Sequence, residues 1–363
     1  MKEKERSAWI ETLRVLATLL VLLNHVPAVM IYFSHEGVTR YAYLMLTLFD
    51  RINVPLFFMI SGALLLKKKE DFSAVFKKRI PRFALLLFVA ELGIFLLNAL
   101  IDMHNGAEAD LSPVSFIRMF LAGNIPGAGS YWFFYAYLSF LLMLPFLRPI
   151  AAACGKRELI LLLSVHALVW SVLPLADLFL MMNGRLTLQI SQDLSFPPAV
   201  VQPFFYSILG YCLTHRVPAE KLKGKQLWLL FAASAAGIAV SSFCTLEYAK
   251  LKGINYTEEY FRMFDYVTAI FVFLLIRYLM EKRRPALSEG RFAAVMRYLG
   301  PLCLGIYLLD PVWKKLVYPF YSRNFAGEVP GLWFSLVWIV FSFIAGAIVT
   351  RILKCIPFIK RFL

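Results

Sequence analysis

The run Trp9 to Val26, WIETLRVLATLLVLLNHV, decides how this chain must be read. Its length and apolar content are those of a first transmembrane helix, yet it carries Glu11, Arg14 and His25. Ionisable groups in hydrocarbon are costly unless paired or wetted, so they mark a site by default. At about 100° per residue, Arg14 and His25 fall within roughly 20° of one face, about 16 Å apart along the axis. Glu11 precedes Arg14 by one turn, within pairing reach. The helix therefore offers an acid–base pair near one membrane surface and an imidazole towards the other. In a purely structural reading, Arg14 snorkels to the interface and His25 is a packed core residue.

The composition agrees with a membrane chain. Of 363 residues, 60% are hydrophobic, and the mean hydropathy is +0.68; soluble domains carry about 45–50% apolar residues. A net charge of +15 raises nucleic acid as a partner, but membrane topology accounts for it better, and no nucleic-acid role is expected. Met1 to Arg6 before an apolar run mimics a signal peptide. The run is too long and lacks a small-residue cleavage site, so a retained anchor is expected. Cys154, Cys212, Cys244, Cys303 and Cys355 are scattered, with neither metal spacing nor a disulfide framework. They read as small buried hydrophobes.

Working outward, about ten spans of roughly 20 apolar residues can be placed. They cover about 9–31, 41–66, 80–101, 131–150, 158–181, 199–214, 226–245, 263–280, 296–318 and 331–353, with a short interfacial helix at about 112–122. Alternate connections are rich in Lys and Arg. Clusters such as Lys67-Lys68-Lys69, Lys77 to Arg82 and Lys282-Arg283-Arg284 share one side, which outweighs the other by about four to one. By the positive-inside rule both termini are cytoplasmic. The expectation is an all-α, polytopic integral membrane bundle, one domain over residues 1–363, with His25 near the outer face.

Further motifs fall within these spans. Asp50-Arg51-Ile52-Asn53-Val54-Pro55 opens the middle of the second, where Pro55 is expected to kink the helix. Ser61 and Gly62 allow close helix approach. Arg51 lines an outer cavity near His25, or simply sits at the interface. Lys78, Arg79 and Arg82 stand where the third span begins. A helix N-terminus with Arg donors suits phosphate, though such charges also bind anionic lipid. Glu91 lies deep in the same span and needs a partner or a proton. Tyr131-Trp132-Phe133-Phe134-Tyr135 is either an aromatic belt or a stacking wall for a sugar, with Trp132 and Tyr135 as its faces. Asp310 orients His25, pairs with Arg51, or pairs with Lys314 one turn on.

Together these residues resemble the membrane-bound acyltransferases often called acyltransferase family 3. The nearest branch is the one that O-acylates surface polysaccharides, enterobacterial common antigen O-acetyltransferases among them. The likeness runs along nearly the whole chain. It rests on Glu11-x-x-Arg14, on Arg14 and His25 with ten residues between, on RINVPLFFMISG at 51–62 and on Arg79-x-x-Arg82. YWFFYAYLSFLLMLP at 131–145, FFYSILGY at 204–211 and LGIYLLDP at 304–311 extend it. The resemblance implies about ten spans in a bacterial plasma membrane. It implies acyl transfer, often acetyl, from cytoplasmic acyl-CoA to a glycan or lipid-linked sugar. His25 takes the place of the catalytic base, Arg14 that of its partner arginine, and Arg79 with Arg82 that of the acyl-CoA site. One departure stands out: the family's Gly-Ile-Tyr stretch often ends in His, whereas here it ends in Asp310, which leaves a second acid–base group open.

The chemistry can be argued beside the resemblance. Imidazole, with an ordinary pKa near 6.5, suits removal of a hydroxyl proton as attack begins. The thioester carbonyl becomes an oxyanion and wants a donor; Arg51, Asn24 and Ser61 qualify by type. From Trp9 to His25 is about 24 Å of helix, similar to an extended pantetheine arm, so direct transfer without a covalent enzyme or a metal is expected. Cys303 is the thiol placed for a covalent route. The competing readings are a glycan exporter or flippase without acyl transfer, and a membrane scaffold or sensor with a relict site. A homo-oligomer is compatible with all of them.

Overall fold

The computed structural model describes residues 7–26, 37–70, 72–185, 188, 196–255, 257–325 and 331–362. Lys2, Lys4 and Arg6, and the first expected span beyond Val26, lie outside them. The described residues form helices and connections, with no strand among them. In chain order the main helices are α1 (Ala8–Asn24), α2 (Gly37–Asp50), α3 (Asn53–Leu65), α4 (Ile80–His104), α5 (Pro113–Ala122) and α6 (Trp132–Ala153). They continue as α7 (Lys156–Ala167), α8 (Leu173–Met182), α9 (Gln202–His215), α10 (Gly224–Lys252), α11 (Asp265–Arg277) and α12 (Arg291–Leu299). The last are α13 (Cys303–Leu316), α14 (Tyr318–Phe325) and α15 (Gly331–Leu353).

Among the described residues, seven helical stretches are long and apolar enough to cross a membrane: 37–65, 75–104, 129–153, 156–182, 224–252, 285–316 and 331–353. This is a multi-pass membrane architecture. Seven, rather than the ten of the sequence reading, meet that standard. The remaining three expected spans form shorter helices: α1 has 17 residues, α9 has 14 and α11 has 13. These three bury residues on every side, among them Leu13, Ala17, Leu22, Phe205, Leu209 and Phe273. A helix enclosed by protein need not match the hydrocarbon thickness, and it can carry polar groups that a lipid-facing helix cannot.

The chain folds as two compact units, residues 1–68 with 147–301 and residues 69–146 with 302–363. In the first, α3 and α9 touch backbone to backbone. A Cβ at Gly62 would overlap the Ser207 carbonyl, and one at Gly210 would overlap the backbone of Met59. One small residue from each helix thus removes the side-chain layer that normally separates helices. A buried guanidinium then ties the helix ends: Arg277 Nη1 donates to Leu213 O (2.6 Å) and Val217 O (2.7 Å). Its Nε donates to Glu281 at 2.8 Å, and the group lies 5.8 Å from the Trp9 ring. His215 Nε2 bonds Ala63 O at 2.9 Å.

The second expected span departs from its reading. The chain turns at Arg51–Ile52, and a new helix starts at Asn53. Pro55 therefore stands in the first turn of α3, where a missing N–H costs nothing. It begins a helix instead of bending one.

In the second unit, α13 and α15 meet through Gly305 against Thr350 and Gly346 against Ile306. Pro311 stands inside α13, where its missing N–H leaves the Tyr307 carbonyl without its helical donor. The buried Tyr131 hydroxyl donates to Leu308 O at 2.6 Å, and Tyr307 donates to Ser130 O. The interfacial helix α5 has Ser112 at its N-cap and Gly123 in the left-handed conformation at φ 64° after its last residue. Phe116 anchors it against Phe88 and Phe95.

The α3–α9 contact generates a test. Gly62→Ala should destabilise the protein by about 1–3 kcal/mol through overpacking, read as a lower melting temperature in detergent. Gly93→Ala, where a Cβ meets open space, should be neutral or slightly stabilising.

Candidate functional site

Which groups lie level with His25 follows from contacts inside the first unit. Trp9 meets Arg277, Arg277 meets Leu213, and His215 meets Ala63. The end of α3 therefore lies level with the start of α1, so these packed helices run antiparallel. From that level His25 stands about 24 Å away, and Asp50 about 20 Å away, at 1.5 Å per residue. The α2–α3 turn thus lies at about the same level as His25.

That level is polar. Arg51 Nη2 donates to Glu258 Oε1 at 2.7 Å, with its guanidinium 4.9 Å from the Phe261 ring. Asp50 is 0% exposed, and neither carboxyl oxygen has a hydrogen-bond partner among the described residues. Asn53 is buried too. Its Oδ1 accepts from Val54 N at 2.5 Å, while its Nδ2 has no partner there. Asn24, beside His25 in sequence, buries an Oδ1 that has no partner among the described residues. His25 itself caps the C-terminus of α1, half-buried, its N–H bonded back to Leu22 and Val21. Nearby on α9 and α11, Tyr206 donates to Asp265 at 2.7 Å.

At the opposite end of α1, Arg14 Nη1 donates to Glu11 Oε2 at 2.5 Å. Glu11 is buried and packs against Gly300, where any Cβ would collide with its carboxylate. Ser61, a candidate oxyanion donor, spends its proton on Phe57 O at 2.8 Å, so it presents lone pairs rather than a donor.

The other candidates belong to the second unit. Arg79 closes a π-helical turn before α4 and grips Glu70 with two nitrogens, Nε at 3.0 Å and Nη2 at 2.5 Å. Arg82 Nε donates to Phe362 O at 2.9 Å, and Lys78 is exposed. Glu91 is buried, with Oε2 unpartnered among the described residues. Trp132 is 45% exposed, and the Tyr135 hydroxyl donates to Phe120 O at 2.5 Å. The enclosed rings of that stretch are Tyr131 and Phe134. Asp310 accepts from Ser342 at 3.2 Å, a partner absent from the sequence reading. Cys303 is buried in the first turn of α13. A cavity of about 600 Å³ lies between α4 and α13, walled by Leu85, Val89, Leu97, Leu308 and Tyr131 among others. Its wall is almost wholly apolar, so it suits hydrocarbon and not a nucleotide.

Sequence reasoning passed over Asp50, Asn53 and Glu70. Asp50 satisfied the same criterion that singled out Glu11 and Glu91, an acid inside an apolar span. Glu70 had no signal, because its partner Arg79 comes nine residues later across a connection. No group of three His, Cys, Asp or Glu able to hold a metal occurs among the described residues.

A family model described as an acyltransferase domain matches residues 7–353. No curated protein matches the chain, and no solved structure does.

The Glu11–Arg14 pair can be separated from any role in chemistry by its energetics. Arg14→Gln strands a buried carboxylate and should cost about 1–3 kcal/mol, less than for a fully buried pair because Arg14 keeps some solvent access. Adding Glu11→Gln should restore most of that loss. Equal melting temperatures for the single and double variants would show that the two are not coupled.

Proposed function

The chain belongs to the acyltransferase 3 family, whose domain covers nearly all of it, and from that premise we propose that it moves an acetyl group from cytoplasmic acyl-CoA to a hydroxyl of a surface or lipid-linked glycan. The reading places it in a bacterial plasma membrane with about ten spans and both termini in the cytoplasm. What carries it beyond the family is the position of His25: the chain's candidate imidazole ends a protein-enclosed helix, level with buried polar groups that have no partner among the described residues.

His25 takes the proton of the acceptor hydroxyl as its oxygen attacks the thioester carbon. The C–O bond forms, the C–S bond breaks, and the CoA thiolate leaves with the proton that His25 returns. Arg51 or Asn24 stabilises the oxyanion; Ser61 is disfavoured by its bond to Phe57. Arg79, Arg82 and Lys78 hold the donor's phosphates. Glu70 occupies two nitrogens of Arg79, so phosphate would displace this carboxylate or use Nη1 together with the Nη groups of Arg82. Arg14, neutralised by Glu11, supports the first helix. Glu91, Trp132, Tyr135 and Asp310 are offered as acceptor-side residues of the second unit, with membrane lipid around them and self-association allowed.

The test uses protein reconstituted with acetyl-CoA and a glycan acceptor, with product read by mass spectrometry. His25→Ala should fold normally and lower transfer by about 10²–10⁴-fold, the usual worth of a general base. Near-normal turnover would remove His25 from that role. Arg79→Ala with Arg82→Ala should chiefly raise KM for acetyl-CoA; unchanged kinetics would return these residues to lipid binding. Cys303→Ala should keep its rate, and loss of turnover would revive a covalent route.

A further inference from the structure

We infer that Asp50 and Asn53, at the turn between α2 and α3, form a subsite for a neutral, multiply hydroxylated ring, the acceptor end of the reaction. The inference rests on the acyl-transfer reading for its purpose, but not for its chemistry. Both residues are essentially sealed from solvent, Asp50 at 0% and Asn53 at 3% exposure. Both oxygens of Asp50 and the Nδ2 of Asn53 lack partners among the described residues. Each such group, buried without a hydrogen bond, destabilises the fold. Two in one turn, three residues apart, are a large penalty for a fold that gains nothing from them. Strain of this kind is kept where a ligand relieves it.

The donor and acceptor pattern selects the ligand. The orientation of Asn53 is fixed, because Val54 N–H already occupies its Oδ1; the group it presents is therefore NH₂, a donor. Asp50 presents two acceptors. The complement must both donate and accept at short spacing, which adjacent sugar hydroxyls do. A metal cation would satisfy Asp50 but face the amide N–H groups. A phosphate or carboxylate would satisfy Asn53 but meet the Asp50 carboxylate. Arg51 would favour an anion, yet it is held by Glu258. The turn also lies at about the level of His25, where a hydroxyl must lie to lose its proton.

The experiment uses full-length protein in lipid nanodiscs with a panel of methyl hexosides and methyl N-acetylhexosaminides. Three readouts are taken: the glycoside-dependent rise in melting temperature, kcat and KM for glycoside acetylation, and the rate of acetyl-CoA hydrolysis without glycoside. The variants are Asp50→Asn, Asp50→Leu and Asn53→Ala. Each should lose the glycoside-dependent rise and raise acceptor KM by about 10–100-fold, the worth of one hydrogen bond to a charged group. Hydrolysis without glycoside should be unchanged, and Asp50→Leu should melt higher than the parent when no sugar is present. Retention of the parent's glycoside response and acceptor KM in all three variants overturns the subsite. So does a parent protein that no glycoside in the panel stabilises. A parent stabilised by glycoside through Asp50, yet unable to transfer or hydrolyse the acetyl group, keeps the subsite and ends the acyl-transfer reading instead.

Discussion

Polar groups in hydrocarbon have no water to fall back on, and the first unit of this protein is arranged around that constraint. Its strongest answer is the Arg277 guanidinium, which takes the carbonyls of Leu213 and Val217, the carboxylate of Glu281 and the face of Trp9. Helix ends expose carbonyls that nothing else can satisfy. One buried cation collects those at the end of α9 and fixes the levels of α1, α9 and α11 against each other. His215 on the Ala63 carbonyl extends the same device to α3.

The two ends of α1 treat polarity differently. At the Trp9 end, Arg14 meets Glu11 and Arg277 meets its carbonyls. At the His25 end, Asp50, Asn53 and Asn24 keep unpartnered atoms under cover. The contrast within one unit is informative. The same unit that satisfies a guanidinium four ways leaves both oxygens of the Asp50 carboxyl without a hydrogen-bond partner among the described residues. The second unit shows a smaller version: the buried Tyr131 hydroxyl finds the Leu308 carbonyl, while one oxygen of Glu91 has no partner among the described residues.

Close backbone approach makes the enclosure possible. Gly62 and Gly210 let α3 and α9 touch without side chains between them, while α1 is enclosed by α2, α3, α11 and α12, which pack against it. Once shielded, α1 can be 17 residues long and still carry Glu11, Arg14 and His25. The short length and the ionisable content of that helix share one cause.

Periodicity, hydropathy and charge bias suffice to fix the helical class, the membrane setting and the approximate place of nearly every helix, because these properties are local to a stretch of chain. The acyltransferase family is legible in motif spacing for the same reason. Glu11 with Arg14 is legible because i,i+3 neighbours meet on any helix. Partners across connections are not: Glu70 for Arg79, Phe362 for Arg82, Ser342 for Asp310 and Glu258 for Arg51 each depend on how helices pack. The same holds for Pro55, whose effect turned on where a helix began, and for α1, α9 and α11, whose enclosure is invisible to a hydropathy window. The unpartnered state of Asp50 and Asn53 is tertiary in the strictest sense. A sequence shows that a polar group is present, but only packing decides whether anything comes near enough to bond it.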